Sequence, residues 1–215
     1  FIPIIEAVAK NLKNVKGFIV LCDKENLPKD SKLENLICYE ELIKEESEEF
    51  VWPTFDENTA SSLCYTSGTT GDPKGVLYSH RSTILHAWYS SAGNAMNLNS
   101  KSVVLPVVPM FHVNAWGVPY AASMLGCKLV FPGPFTDGES IYELINGEGV
   151  NNLLGVPTVW LGLLNYLDEK DITLKNVNSV LVGGSAAPKS MIKDFQEKHN
   201  VFLLHGWGMT EMSPL

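Results

Sequence analysis

From about residue 60 onward, short apolar or β-branched runs alternate with longer stretches of helical period, and this alternation restricts the chain more than any other feature. The runs 62–65, 103–107, 128–131, 152–155, 179–182 and 201–204 read as strands, and the stretches 82–96, 115–125, 140–145, 157–167 and 188–199 read as helices. Strand and helix recurring every ~20 to 30 residues is the pattern of βαβ units, so an α/β fold is expected, a mostly parallel sheet with helices on both faces. The near-continuous apolar strands agree with burial on both sides. Residues 1–58 read differently, as the end of a preceding subdomain plus a connecting segment with one strand at 18–22, and residues 59–215 as a single α/β domain.

Charge and cysteine usage exclude several classes. Of 24 acidic and 16 basic residues, 13 and 7 fall in residues 1–60, and most of the excess lies in the run from Glu40 to Glu49, which reads as a solvated face rather than an interaction surface. With Arg81 as its one arginine and no basic stripe, the chain offers nucleic acid little electrostatic support. Cys22, Cys38, Cys64 and Cys127 have neither metal-ligand spacing nor the density of a secreted scaffold, so reduced thiols and a cytoplasmic location are expected. Residues 102–127 carry no charge and are long enough to span a bilayer, but Pro106, Pro109, Pro119, His112 and Asn114 favour a buried strand, loop and helix over a transmembrane segment.

Ligands of open α/β sheets bind beyond the carboxyl ends of the strands, so the loops leaving those ends are the places to search. The run Tyr65-Thr66-Ser67-Gly68-Thr69-Thr70-Gly71-Asp72-Pro73-Lys74-Gly75-Val76 follows a strand and concentrates hydroxyls, glycines and a lysine. Glycine permits close backbone approach, successive N–H groups can cradle an anion, and the hydroxyls and ammonium add donors. This density favours a phosphate-binding loop over a plain surface turn. It is not a Walker A loop, because Pro73 precedes Lys74 and Gly75 follows it. Other stretches are more ambiguous on the residues alone. Thr210-Glu211 could be a helix start, Trp207 and His112 could be packed core residues, and Gly183 to Pro188 is a strand-to-helix turn on any reading. His80, Arg81, His86, His199 and His205 have no partner pattern and are expected on the surface or at caps.

Together these motifs resemble the adenylate-forming superfamily, the AMP-forming acyl-CoA synthetases and their relatives. The phosphate loop, Phe55-Asp56-Glu57-Asn58, Pro109-Met110-Phe111-His112, Gly183-Gly184-Ser185-Ala186-Ala187-Pro188 and Gly206-Trp207-Gly208-Met209-Thr210-Glu211 occur in the family's order across residues 52–215. The wording is most similar to medium- and long-chain fatty-acyl-CoA ligases. The resemblance implies attack of a carboxylate on the α-phosphate of MgATP, giving acyl-AMP and pyrophosphate, then thioester formation with coenzyme A. It assigns Thr66, Ser67, Gly68, Thr69, Thr70, Gly71 and Lys74 to the β- and γ-phosphates, in a loop that closes as a clamp. It assigns Gly184, Ser185, Ala186 and Ala187 to adenine, Trp207 to stacking on that base, and Gly208 and Met209 to the same nucleotide site. Thr210 is implied at the α-phosphate, Glu211 as the Mg²⁺ ligand, and His112 beside the acyl carboxylate, with Lys74, His112, Thr210 and Glu211 as the catalytic set. Amino-acid-activating relatives place Asp where His112 stands, which disfavours an amino-acid substrate.

The family's ribose-binding Thr-Gly-Asp, its hinge and its small C-terminal domain with a catalytic lysine are missing, and the chain runs from Phe1 to Leu215. The expectation is therefore an incomplete N-terminal domain of a fatty acid-CoA ligase, itself inactive, whose partners are fatty acid, ATP and coenzyme A, with a homodimer of the full-length parent allowed. Two alternatives stay open: an aryl- or short-chain acid ligase, and a non-catalytic nucleotide-binding protein of the same fold.

Overall fold

A computed structural model describes residues 1–66 and 71–213. They fall into two compact units, Phe1–Thr54 and Phe55–Leu215. In the first unit, helix α1 (Ile2–Val8) begins with proline in its first turn, where a missing N–H costs nothing. Strands β1 (Phe18–Val20) and β2 (Leu36–Cys38) pair in parallel, and α2 (Tyr39–Ile43) follows directly. The expected strand at 18–22 is thus shorter, and its partner β2 had no sequence signal beyond three apolar residues. The acidic residues from Glu40 to Glu49 are all exposed.

The second unit contains β3 (Ala60–Tyr65), β4 (Gly75–Ser79), α3 (His80–Ser91), β5 (Val103–Val107), α4 (Val113–Trp116), α5 (Val118–Leu125), β6 (Lys128–Leu129), α6 (Gly138–Glu148), β7 (Asn152–Gly155), α7 (Pro157–Lys170), β8 (Ser179–Val182), α8 (Lys189–Lys193) and β9 (Phe202–His205). Five strands form a parallel sheet in the order β6-β5-β7-β8-β9. Successive residues of each strand point to opposite faces and both faces are covered. Leu105, Leu153, Val180, Val182 and Leu203 pack with Ile141 and Ile145 of α6, Trp160, Leu163 and Leu167 of α7, and Met191 of α8. Val104 and Leu154 pack on the other side with Ala87 of α3 and Val118 and Ala121 of α5. The chain has the α/β fold expected, with a mostly parallel sheet.

One expected sheet strand lies elsewhere. Residues 62–65 belong to β3, which pairs antiparallel with β4, from Ser62↔Tyr78 to Tyr65↔Gly75, as a separate hairpin. The alternation Leu63, Tyr65 and Leu77 outward, Cys64 and Tyr78 inward marks a half-buried hairpin rather than a central parallel strand. Its end flows into α3, capped by Ser79, whose Oγ accepts the Ser82 N–H while the Ser82 Oγ accepts the Ser79 N–H. That box starts the helix at His80, two residues before the expected position, and it ends at Ser91 rather than at residue 96.

The expected helix 115–125 is also broken. Val113, Asn114, Ala115, Trp116 and Gly117 have φ of 48°, 50°, 49°, 58° and 74°, a left-handed turn after which α5 runs right-handed. Left-handed geometry costs about 1–2 kcal/mol per residue for side chains other than glycine, so the surrounding contacts must hold it.

Candidate functional site

The loop after β5 enters helices on one face of the sheet, and the loops after β7 and β8 enter helices on the other. The change of face between neighbouring β5 and β7 is a topological switch point, the kind of place where open α/β sheets bind their ligands. His112 sits at this edge, exposed, at the start of the left-handed turn. It follows Phe111, which is 81% exposed. The turn is pinned on three sides. The Asn114 amide donates to Ser62 Oγ at 2.9 Å and its oxygen accepts from Cys64 Sγ at 3.4 Å. The Trp116 ring lies on Gly183, and His86 packs against Gly117 so closely that an added Cβ would lie 2.6 Å from the imidazole Nδ1.

The phosphate-type loop occupies the tip of the β3–β4 hairpin. Its two ends are tied to each other: the Thr66 N–H donates to the Lys74 carbonyl at 2.9 Å, and the Lys74 N–H to Thr66 Oγ1 at 3.3 Å. Gly71 and Lys74 are exposed. Ser67, Gly68, Thr69 and Thr70 lie outside the described residues.

Gly183–Pro188 leaves β8 and Gly206–Glu211 leaves the neighbouring β9. The loops touch where the His205 ring Nε2 meets the Ser185 carbonyl at 3.3 Å. Gly184, Ser185 and Ala186 are exposed, as are Gly208 and Met209. Trp207 is 69% exposed, which removes the alternative of a core tryptophan. Thr210 opens a single 3₁₀ turn and is 8% exposed, and the Glu211 carboxylate beside it faces solvent. The Thr210 carbonyl accepts a hydrogen bond from the Tyr78 hydroxyl at the base of the hairpin. Burial of that hydroxyl, with Cys64 and the Glu211 carboxylate nearby, pushes the Tyr78 phenol up to about 12. It stays a neutral donor throughout the physiological range.

A family model described as AMP-binding enzyme matches residues 5–215. The chain belongs to the AMP-binding enzyme family. It is 50% identical over 214 residues to a medium-chain-fatty-acid–CoA ligase of Ectopseudomonas oleovorans, a match covering 100% of this chain and 39% of the relative. It is 49% identical over 215 residues to a 3-methylmercaptopropionyl-CoA ligase of Ruegeria lacuscaerulensis, covering 100% of this chain and 40% of that one. Among solved structures, the inhibitor-bound N-terminal domain of FACL13 from Mycobacterium tuberculosis superposes with a TM-score of 0.71 at 26% identity, covering 83% of this chain and 45% of that one. The chain thus spans about two fifths of the length of these curated relatives.

Within this AMP-binding enzyme chain, some site candidates are brought together directly. Tyr78 joins the hairpin to Thr210, Trp116 joins the His112 turn to Gly183, and His205 joins the Ser185 and Trp207 loops. Among the described residues, no side-chain hydrogen bond or ion pair links Lys74, His112 and Glu211 to one another. Sequence reasoning missed Ser62, Tyr78 and Asn114, whose roles depend on partners about 50 or more residues away. It also misplaced two histidines: His86 and His199 are buried, and burial pushes both imidazoles down. His80 is the first residue of α3, directly after the Ser79 cap, and its ring lies tilted by 53° against Phe55 with ring centroids 4.6 Å apart. No helix among the described residues is long and apolar enough to cross a membrane.

Proposed function

We propose that this chain is part of the N-terminal domain of a fatty acid-CoA ligase, and that it binds the reacting groups of ATP and a carboxylic acid. The observation that carries the reading is the Tyr78–Thr210 hydrogen bond, which ties the base of the Thr66–Lys74 hairpin to the Thr210-Glu211 turn. A single polyphosphate could then reach from Thr210 at its α-phosphate to Lys74 at its far end. Thr66, Ser67, Gly68, Thr69, Thr70, Gly71 and Lys74 hold the β- and γ-phosphates; Gly184, Ser185, Ala186 and Ala187 line adenine; Trp207, Gly208 and Met209 complete that side.

A carboxylate oxygen, oriented by His112, attacks the α-phosphorus. The bond from that phosphorus to the oxygen bridging to the β-phosphate breaks, and pyrophosphate leaves with the electron pair. The protein supplies donors for the accumulating charge rather than a nucleophile. The thiol of coenzyme A then attacks the acyl carbon and AMP departs. Among the described residues no three His, Cys, Asp or Glu side chains form a metal cluster, and Glu211 is an isolated exposed carboxylate. This donor set fits Mg²⁺, which takes one or two carboxylates and completes its shell with phosphate oxygens and water. Bound there, Mg²⁺ would neutralise phosphate charge.

The fatty-acid substrate is supported by the name of the Ectopseudomonas relative. The Ruegeria relative favours a second reading, a short thioether acid such as 3-methylmercaptopropionate. Acid-dependent ATP–pyrophosphate exchange in the complete enzyme separates them. Exchange with octanoate or longer acids, and little with 3-methylmercaptopropionate, supports the first reading; the reverse preference selects the second, and no exchange with any acid removes both.

A further inference from the structure

We infer that the cross-strand pair Ser62–Tyr78 is a positioning joint that sets the two substrate-facing loops relative to the phosphate loop. This rests on the ligase reading above. Ser62 and Tyr78 face each other across β3 and β4, three register steps below the last pair Tyr65↔Gly75. At ~3.3 Å per residue the joint lies ~10 Å from the loop it supports. Both side chains point to the inner side of the hairpin, as do Cys64 and Val76, while Leu63 and Leu77 point outward.

Two arms leave this pair in different directions. The Tyr78 hydroxyl donates to the Thr210 carbonyl, fixing the peptide that precedes Glu211. Ser62 Oγ accepts from the Asn114 amide at 2.9 Å, and Cys64 Sγ donates to the Asn114 oxygen at 3.4 Å, fixing the turn that begins at His112. Between the arms, Val113 packs with Cys64 and Tyr78 in a small buried cluster of its own. Both arms end on irregular backbone, a 3₁₀ turn and a left-handed turn, which has little internal stiffness to place a reacting group. The hairpin provides that stiffness. The same paired strands therefore lead into Thr66 and Lys74 at one end and hold both other groups at the other.

Tyr78→Phe removes only the hydroxyl and keeps the buried ring. In the complete enzyme, measured by ATP–pyrophosphate exchange, it should lower the adenylation kcat about tenfold with the KM for ATP changed less than about twofold, the signature of displaced rather than lost contacts. In a Thr210→Val background the same substitution should cost less than about twofold, because residues acting through one another are not additive. Ser62→Ala, which leaves Tyr78 in place, should lower kcat/KM for the acid severalfold and leave the KM for ATP unchanged. A lower Tm with wild-type kcat in Tyr78→Phe would overturn the inference, as would full additivity with Thr210→Val, or unaltered kinetics in Ser62→Ala. Should Tyr78→Phe fail to fold, Ser62→Ala alone decides by the same criterion. A wild-type enzyme without exchange on any acid removes the ligase reading and this inference with it, whereas wild-type exchange with unaffected variants removes the inference alone.

Discussion

The indole of Trp116 lies so close to the backbone of Gly183 that a Cβ added to the glycine would sit 2.9 Å from Cη2 of the ring. The contact joins the turn after β5 to the loop after β8, passing over the end of β7 between them. Gly183→Ala must push the indole aside, an overpacking cost of about 1–3 kcal/mol. Urea unfolding should show a loss of that size, and Trp116→Phe in the same background should recover part of it because the smaller ring clears the methyl group. A Gly183→Ala protein of unchanged stability would mean that the indole moves freely.

His86 gives the fold a pH dependence. Its imidazole is buried against Gly117, and among the described residues its Nε2 has no hydrogen-bond partner. Desolvation disfavours the charged ring and lowers its pKa from 6.5. Between the lowered value and 6.5 the unfolded chain binds more protons than the folded one, so stability is full above about 6.5 and falls as pH drops below it. The Tm should fall between about pH 7.5 and 5.5, and fall less in His86→Gln; His199, shifted in the same direction, accounts for part of what remains. Equal slopes in both proteins would contradict this.

Lys74 and Thr210 are read as donors to developing phosphate charge. Removing one preorganised donor costs about 10²- to 10³-fold in rate. Lys74→Ala and Thr210→Val in the complete enzyme should each slow adenylation on that scale, measured by pyrophosphate exchange. Rates within twofold of wild type would refute the phosphate roles, about 0.4 kcal/mol being too little for a lost donor to developing charge.

Much of the sheet was legible because β5, β7 and β8 are short runs centred on Val and Leu with no exposed position, and those apolar centres mark them in the sequence. The hairpin was half legible. β3 carried a strand signal, but β4 overlaps the end of the Gly- and hydroxyl-rich motif and declares itself only through pairing with β3. The helix expected over 115–125 begins inside the left-handed turn, because Ala115 and Trp116 have no intrinsic preference for positive φ; the contacts of Asn114, Trp116 and Gly117 select it. Trp207, Thr210 and Glu211 could be chosen from their motif, whereas Tyr78 could not, since its partner lies 132 residues away. Local pattern reveals which residues carry chemistry, and long-range contacts determine which residues hold them in place.

In the proposed reaction the acid's carboxylate attacks the α-phosphorus of ATP. This step is tested most directly by running the complete enzyme on octanoate labelled with ¹⁸O in the carboxylate and analysing the AMP by mass spectrometry. One ¹⁸O per AMP is expected, because the attacking oxygen stays with phosphorus when the thiol displaces it from the acyl carbon. Thioester formation with unlabelled AMP, or with the label in inorganic phosphate, would contradict it.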